Sequence, residues 1–346
     1  MYLKLSEFDL KNGQRVEAGV VTAPDADWSQ RLQEFLSWQD EIWNWQNKTL
    51  LESASGIEVY YYLAHADGQV ISTIMSAECN GIGLRGHIWT PPELRRNGAS
   101  AALHRLQLED FQSRGGKYLA AYTDFNSAAW HMYLRAGLHP SEPFGGHVSY
   151  ENPDYELPAA RGETVIEDLD WRNWATSAPL FMAREAPLVR CAPLGLVGRR
   201  TAEHELLVQL RRQSEGRPKK VRVLRRLESD EVVGLAAWDW HPGRTDTCLL
   251  DVYCFPDYWD QAGSLLETLQ LPSANRYIAY ADRSCPEKSR CLEALGFHNA
   301  GSWRRYPVDL CRPPASYLPG IGTRATLARI AWRFGHPVDQ AIAWGW

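Results

Sequence analysis

Residues 82–100 read IGLRGHIWTPPELRRNGAS, and the fold is decided there. Ile82, Leu84, Gly86 and Ile88 alternate with Arg85, His87 and Trp89. That is the period of a strand with one apolar face and one face polar enough to line a cleft. Pro91-Pro92 stop the strand, because proline cannot extend the ladder. A turn of pattern R-x-x-G-x-S follows, Arg95 to Ser100, and a helix over about 97–114 ends at Gly115-Gly116. A helix start leaves backbone N–H groups without acceptors and carries the positive end of the helix dipole. Such a spot binds phosphate. Gly98 lets the backbone approach an anion closely, Arg95 and Arg96 add charge, and Ser100 is small enough not to block the approach. By itself the turn is equally an ordinary helix start.

Downstream, KYLAAYT at 117–123 reads as a strand and 126–136 as a helix. Asn126, Ala129 and Tyr133 stand at i, i+3 and i+7, so a helix would place them on one face, and Gly137-Leu138 end it. The combined pattern is R-x-x-G-x-S, helix, strand, N-x-x-A-x-x-x-Y-x-x-x-G-L. It resembles the GNAT superfamily of N-acetyltransferases over about residues 15–150. The resemblance implies that the backbone of Arg96, Asn97, Gly98, Ala99 and Ser100, with Arg95 beside it, wraps the pyrophosphate of coenzyme A. It implies that Trp89 and Thr90 pair with the pantetheine arm and the acyl carbonyl. Asn126 would hold the cofactor arm, and Tyr133 would face the thioester sulfur and protonate the departing thiolate. Ser100 stands where Gly or Ala is usual, and Leu138 where Phe is usual.

Transfer to an amine requires a base to take a proton from an ammonium, directly or through water. His87 is the first candidate, since an unperturbed imidazole titrates near pH 6.5. Glu78 and Asp124 are reserves, and a water wire is the alternative to any side chain. Trp28, Trp38, Trp43 and Trp45 crowd the helical stretch 28–51. They suit core packing, or an aromatic lid over a cationic amine with Asp40 and Glu41 nearby.

Around this core the strand signals are 15–22, 57–64, 69–78 and 147–150, and 151–161 reads as a polar, proline-bearing linker. The pattern then restarts. Strands are expected at 163–167, 221–227, 231–240 and 248–254, with helical material near 171–183 and 201–213. PPELR at 91–95 parallels FPDYW at 255–259, KYLAAYTD at 117–124 parallels RYIAYADR at 276–283, and YLRAGLH at 133–139 parallels LEALGFH at 292–298. The expectation is an α/β chain (α+β mixed sheets) with two tandem GNAT-like domains, each a mostly antiparallel sheet flanked by helices. They would cover 1–150 and 162–310, with a C-terminal extension at 311–346 holding a helix near 323–334. In the second copy Trp259 stands for Arg95, Cys285 for Asn126 and Leu292 for Tyr133, while Asp257 and Asp260 oppose an anion. That copy reads as degenerate, so one coenzyme A site per chain is expected.

Of the 346 residues, 45% are hydrophobic and 23% charged, the balance of a globular protein. Residues 1–150 hold 12 Lys+Arg against 17 Asp+Glu, which disfavours a nucleic-acid partner and suits a cationic substrate. No apolar run spans a bilayer, no apolar leader is evident, and the seven cysteines form no C-x-x-C pair, so a cytoplasmic protein is expected. No metal is called for. The resemblance implies acetyl-CoA, or another acyl-CoA, as co-substrate and an amine as acceptor; a small-molecule amine and a monomer or homodimer are expected. Acetylation of a protein or peptide amine, or acyl-CoA binding without turnover, are the alternatives.

Overall fold

The computed structural model describes residues 1–141, 145–156, 161–182, 189–197, 202–303 and 341–345. The helix expected near 323–334 and the connector at 312–320 lie outside them. The first half runs β1 (Tyr2–Asp9), β2 (Arg15–Ala23), α1 (Ala26–Leu36), α2 (Glu41–Glu52), β3 (Glu58–Ala66), β4 (Gln69–Cys79), β5 (Ile82–Trp89), α3 (Ala99–Ser113), β6 (Tyr118–Tyr122), α4 (Ala128–Arg135), β7 (His139–Pro140) and β8 (His147–Glu151). Its sheet has the order β1-β2-β3-β4-β5-β6-β8-β7. Every neighbouring pair is antiparallel except β5 with β6.

The helical stretch 28–51 is two helices. Asp25 caps α1 by accepting from the Trp28 N–H at 3.0 Å, and Asp40 caps α2 by accepting from Trp43. Trp38 therefore sits in the break between them, and it shares no helical face with Trp45.

The second half runs β9 (Thr164–Asp168), α5 (Trp171–Thr176), α6 (Ala178–Met182), β10 (Val189–Cys191), β11 (Leu196–Val197), α7 (Glu203–Ser214), β12 (Val221–Arg226), β13 (Val232–Trp240), β14 (Thr247–Cys254), α8 (Ala262–Glu267), β15 (Arg276–Asp282), α9 (Pro286–Ala294), β16 (His298–Trp303) and β17 (Ala341–Gly345). Its main sheet has the order β9-β12-β13-β14-β15-β17-β16. Position for position this matches β2-β3-β4-β5-β6-β8-β7, and its one parallel pair, β14 with β15, falls at the same place. The strand at 341–345 inserts between β15 and β16, so the second sheet draws on chain beyond residue 310.

The halves share one apolar core. Leu32, Leu36 and Leu84 of the first belong to the same buried cluster as Trp174, Phe181 and Leu206 of the second. Trp45 stacks on Trp171 with ring centres 5.5 Å apart. Tyr155, in the expected linker, donates its hydroxyl to Glu231 at 2.7 Å.

Glu78 sits at the closed end of the β4–β5 hairpin, in register with Gly83. It is 1% exposed and takes two hydrogen bonds from Arg114, at 2.7 and 3.1 Å. Burial pushes its carboxyl up, and the guanidinium opposes that shift. This pairing corrects the expectation of Glu78 as a base: its carboxylate is committed to an ion pair that locks the C-terminus of α3 to the sheet. Removing one partner of a buried pair strands the other, which costs about 3–5 kcal/mol. Arg114→Ala should lower unfolding stability by that order in chemical denaturation, and a loss under about 1 kcal/mol would assign the pair only a surface role.

Candidate active site

The parallel pair β5 and β6 holds together only at Ile82–Tyr118, Gly83–Leu119 and Leu84–Ala120. Beyond Leu84, β5 stays in register with β4 as far as Trp89, while β6 stays with β8 as far as Tyr122. The two strands diverge, and residues 85–89 present an edge of backbone donors and acceptors that β6 does not use.

A β-bulge accompanies the divergence. Met75 faces Gly86 and Thr73 faces Trp89, so β5 carries one extra residue. His87 takes a left-handed φ of 49°, and its carbonyl accepts from the Thr73 hydroxyl at 2.9 Å. The bulge breaks the expected alternation. His87 turns toward α2, where its Nε2 pairs with Gln46 Oε1 at 2.7 Å and its ring meets Trp43 edge-on. Arg85 instead lies under α3 and α4, beside His104, with its guanidinium 5.3 Å from the Tyr133 ring centre. Arg85 and His87 do not share a face.

Burial depresses the His87 pKa to about 3. A ring so reluctant to take a proton is a poor base for an ammonium at neutral pH, which corrects the first-choice expectation for His87. Asp124, the second reserve, is exposed at the turn before α4.

Gly98 caps α3 with a φ of 96° and no capping side chain, and no protein atom lies within 4 Å of where a Cβ would be. Arg96, with φ 66°, and Arg95 are exposed. Arg95 lies over the Trp89 ring at 5.0 Å and donates to the Thr90 carbonyl, so that carbonyl is already engaged. The Asn97 carbonyl accepts from the Lys11 N–H at 3.0 Å, which ties the turn to the β1–β2 hairpin. Ser100 reaches Met132 of α4 at 3.4 Å, so the open N-terminus of α3 borders the divergence.

Asn126 departs from the helical reading. It precedes α4 with φ 60°, Ser127 is the cap, and its side-chain carbonyl pairs with His131 at 2.8 Å. It shares no helical face with Tyr133. Tyr133 does point inward; it is 4% exposed, and burial pushes its phenol up to about 12, so it is protonated at neutral pH. Two groups at the divergence carry no sequence motif. Arg85 is a buried cation whose Nε and Nη1 find no hydrogen-bond partner among the described residues. Glu203, the first residue of α7, reaches in from the second half.

In the second half the equivalent divergence is occupied by the chain itself. β14 and β15 pair only from Thr247–Arg276 to Leu249–Ile278. Across the gap lies β10: the Val189 N–H donates to Asp282 at 2.6 Å, the Ala192 N–H donates to Asp251 at 2.8 Å, and Lys288, fully buried and paired with Asp251, donates to the Val189 carbonyl. No bulge interrupts β13–β14. Leu292 and Cys285 are buried, Trp259 packs on Tyr253, and Asp260 pairs with Arg161.

No family model matches the sequence, and no curated protein matches it. Solved structures to which it is similar include the GNAT domain of PAT from S. lividans, at 16% identity over 42% of this chain and 96% of that one, TM-score 0.31. Ribosomal-protein-S5-alanine acetyltransferase from Vibrio fischeri is 10% identical over 54% of this chain and 94% of that one, TM-score 0.36. A probable N-acyltransferase from Enterococcus faecalis is 13% identical over 67% of this chain and 56% of that one, TM-score 0.32. These are partial likenesses, and the cleft of this chain stands on its own geometry.

His87 supplies a test of that geometry. Its folded pKa lies below the unfolded value of about 6.5, so the unfolded state takes up the proton first as pH falls. Stability held by the neutral ring is complete above pH 6.5 and drains away between pH 6.5 and about 3. His104, also depressed, has the same sign. His87→Asn should flatten the acid-side slope of unfolding stability by at most about 1.4 kcal/mol per pH unit. An unchanged slope would mean that the ring is not sealed between β5 and α2.

Proposed function

We propose that the first half is a GNAT-type N-acyltransferase that moves an acyl group, acetyl being the simplest, from a coenzyme A thioester to an amine. One observation carries the reading: the unpaired edge of β5 runs directly into the uncapped N-terminus of α3. The edge at 85–89 offers strand-like hydrogen bonds to the amides of a pantetheine arm. The turn at Arg96–Ser100 offers N–H groups, a dipole end and two exposed arginines to a pyrophosphate. Tyr133 stands as a protonated phenol beside the divergence.

The residues fit the co-substrate in the first half and not in the second. There α8 has six residues against fifteen in α3, no left-handed residue opens its N-terminus, and β10 lies over the divergence. The acceptor is proposed to be a small cationic amine. It would enter from the α2 side, where Trp38 is 54% exposed and stacks on Trp89 with centres 4.0 Å apart. Aromatic faces at a cleft mouth attract ammonium groups. The amine nitrogen attacks the thioester carbonyl, the C–S bond breaks, and Tyr133 hydrogen-bonds or protonates the sulfur that leaves.

Calorimetry with acetyl-CoA is expected to show one site per chain at micromolar affinity, on the order of 8 kcal/mol. Gly98→Glu should abolish binding by putting bulk and charge against the pyrophosphate. Absence of heat at millimolar ligand would sink the reading, and two sites would overturn the account of the second half. Separately, Tyr133→Phe should leave acetyl-CoA affinity intact and cut kcat by about 100-fold to 10,000-fold in a free-thiol assay over an amine panel. An unaltered kcat would take Tyr133 out of the reaction.

A further inference from the structure

We infer that Glu203, carried by the second half, is the base that deprotonates the acceptor amine in the cleft of the first half. The inference rests on the acyl-transfer reading above and adds to it the residue that the first half lacks.

Position comes first. α7 packs beside α2 and α5. Its first residue, Glu203, places Oε1 3.7 Å from where a Cβ on Gly86 would stand. Gly86 is the bulge residue facing Met75, so the absence of a side chain there leaves space in front of the carboxylate. The Glu203 backbone is held in place: its carbonyl accepts from the indole N–H of Trp174, itself fully buried, at 3.0 Å.

Engagement comes second. Among the described residues no hydrogen bond or ion pair uses the carboxylate of the half-buried Glu203. Two of the other candidate bases are engaged elsewhere, and Asp124 lies exposed at the turn before α4. Glu78 is bound to Arg114, and His87 is sealed against Gln46. The groups facing Glu203 are His204 and Glu205 on its own helix and Tyr133 of α4, to which it is electrostatically coupled. His87 on β5 is neutral. His204 is paired with Glu205 and lies edge-on to Trp43. No fixed cation neutralises Glu203 within this set, and burial lifts its carboxyl to about 7. Glu203 and Tyr133 thus form two titratable groups of opposite assignment at one gap, the pattern by which a base and an acid are told apart.

The Glu203 carboxylate takes one proton from the acceptor ammonium. The freed lone pair forms the C–N bond, and the thioester carbonyl becomes a tetrahedral oxyanion. Its collapse breaks the C–S bond, with the electron pair going to sulfur. Tyr133 gives its proton to that sulfur and regains one from the newly bonded nitrogen. The products are an amide and a thiol, and protonated Glu203 releases its proton to solvent.

The test uses the full chain. Glu203→Gln should bind acetyl-CoA with wild-type affinity by calorimetry and unfold at the wild-type midpoint or above, because it removes an unneutralised carboxylate from a crowded site. Its kcat/KM should fall about 100-fold to 10,000-fold. The wild-type kcat/KM should show an acid limb near pH 7 that Glu203→Gln lacks and Glu203→Asp retains in part. A Glu203→Gln enzyme with wild-type rate and an intact acid limb overturns the inference while leaving acyl transfer standing. A wild-type chain that binds no acetyl-CoA removes both, and the calorimetric arm identifies that outcome.

Discussion

A parallel strand pair that stops pairing after three residues is the constraint on which the first half depends. β5 cannot follow β6 beyond Leu84–Ala120, because the bulge at Gly86–His87 keeps it bent toward β4, with the Thr73 hydroxyl clamping the His87 carbonyl. Backbone groups that a continuous sheet would have consumed are left along one edge. The same bend sends Arg85 beneath α3 and α4 and His87 toward α2. The chain after β5 then leaves the sheet at the mouth of the gap, where two prolines, two left-handed residues and an uncapped helix follow within ten positions. A ligand with amides in its arm and phosphates at its end fits that sequence of donors.

The second half meets the same constraint with another solution. Its parallel pair also parts after three residues, but the chain supplies its own occupant. Val189–Ala192 is tethered by Asp251 on one strand and Asp282 on the other, with Lys288 neutralising Asp251. A gap filled in this way has no edge left to offer. The cost of burying Lys288 and Asp251 is met by pairing them and by adding backbone hydrogen bonds. This half contributes α5, α6 and α7 to the shared core and packs α7 beside α2.

The cleft region departs from low-energy local geometry. Seven non-glycine residues among those described have positive φ. Asp67, Asn80, Asp230 and Asp246 lie in turns between strands, where Asn and Asp adopt that conformation at little cost. His87, Arg96 and Asn126 are the other three, and each lies at the divergence or its rim. Residues held this way cost of order 1–3 kcal/mol and persist only where the surroundings over-determine them. Among the described residues, buried polar atoms without a hydrogen-bond partner lie there too, on Gln46, Arg85, His87, His104 and Gln107.

Local patterns in the amino-acid order account for part of this architecture. Alternating runs placed most strands, Pro91-Pro92 and Gly98 placed the turn, and the three repeated segments fall in two halves whose sheets share a strand order. The losses at Trp259, Cys285 and Leu292 were legible because they are identities at aligned positions. Only the tertiary structure decided the rest. One extra residue in β5 reversed the face of His87, and whether a strand bulges depends on its partner strand. Glu78 left the site because Arg114, thirty-six positions away, folds back onto it. Asn126 left the helix because Ser127 caps it better. β17 joined the second sheet from beyond residue 310, through pairing that no local run announces. Glu203 is an unremarkable acid at a helix start, and its place in the cleft exists only because two halves of one chain bury their apolar faces against each other.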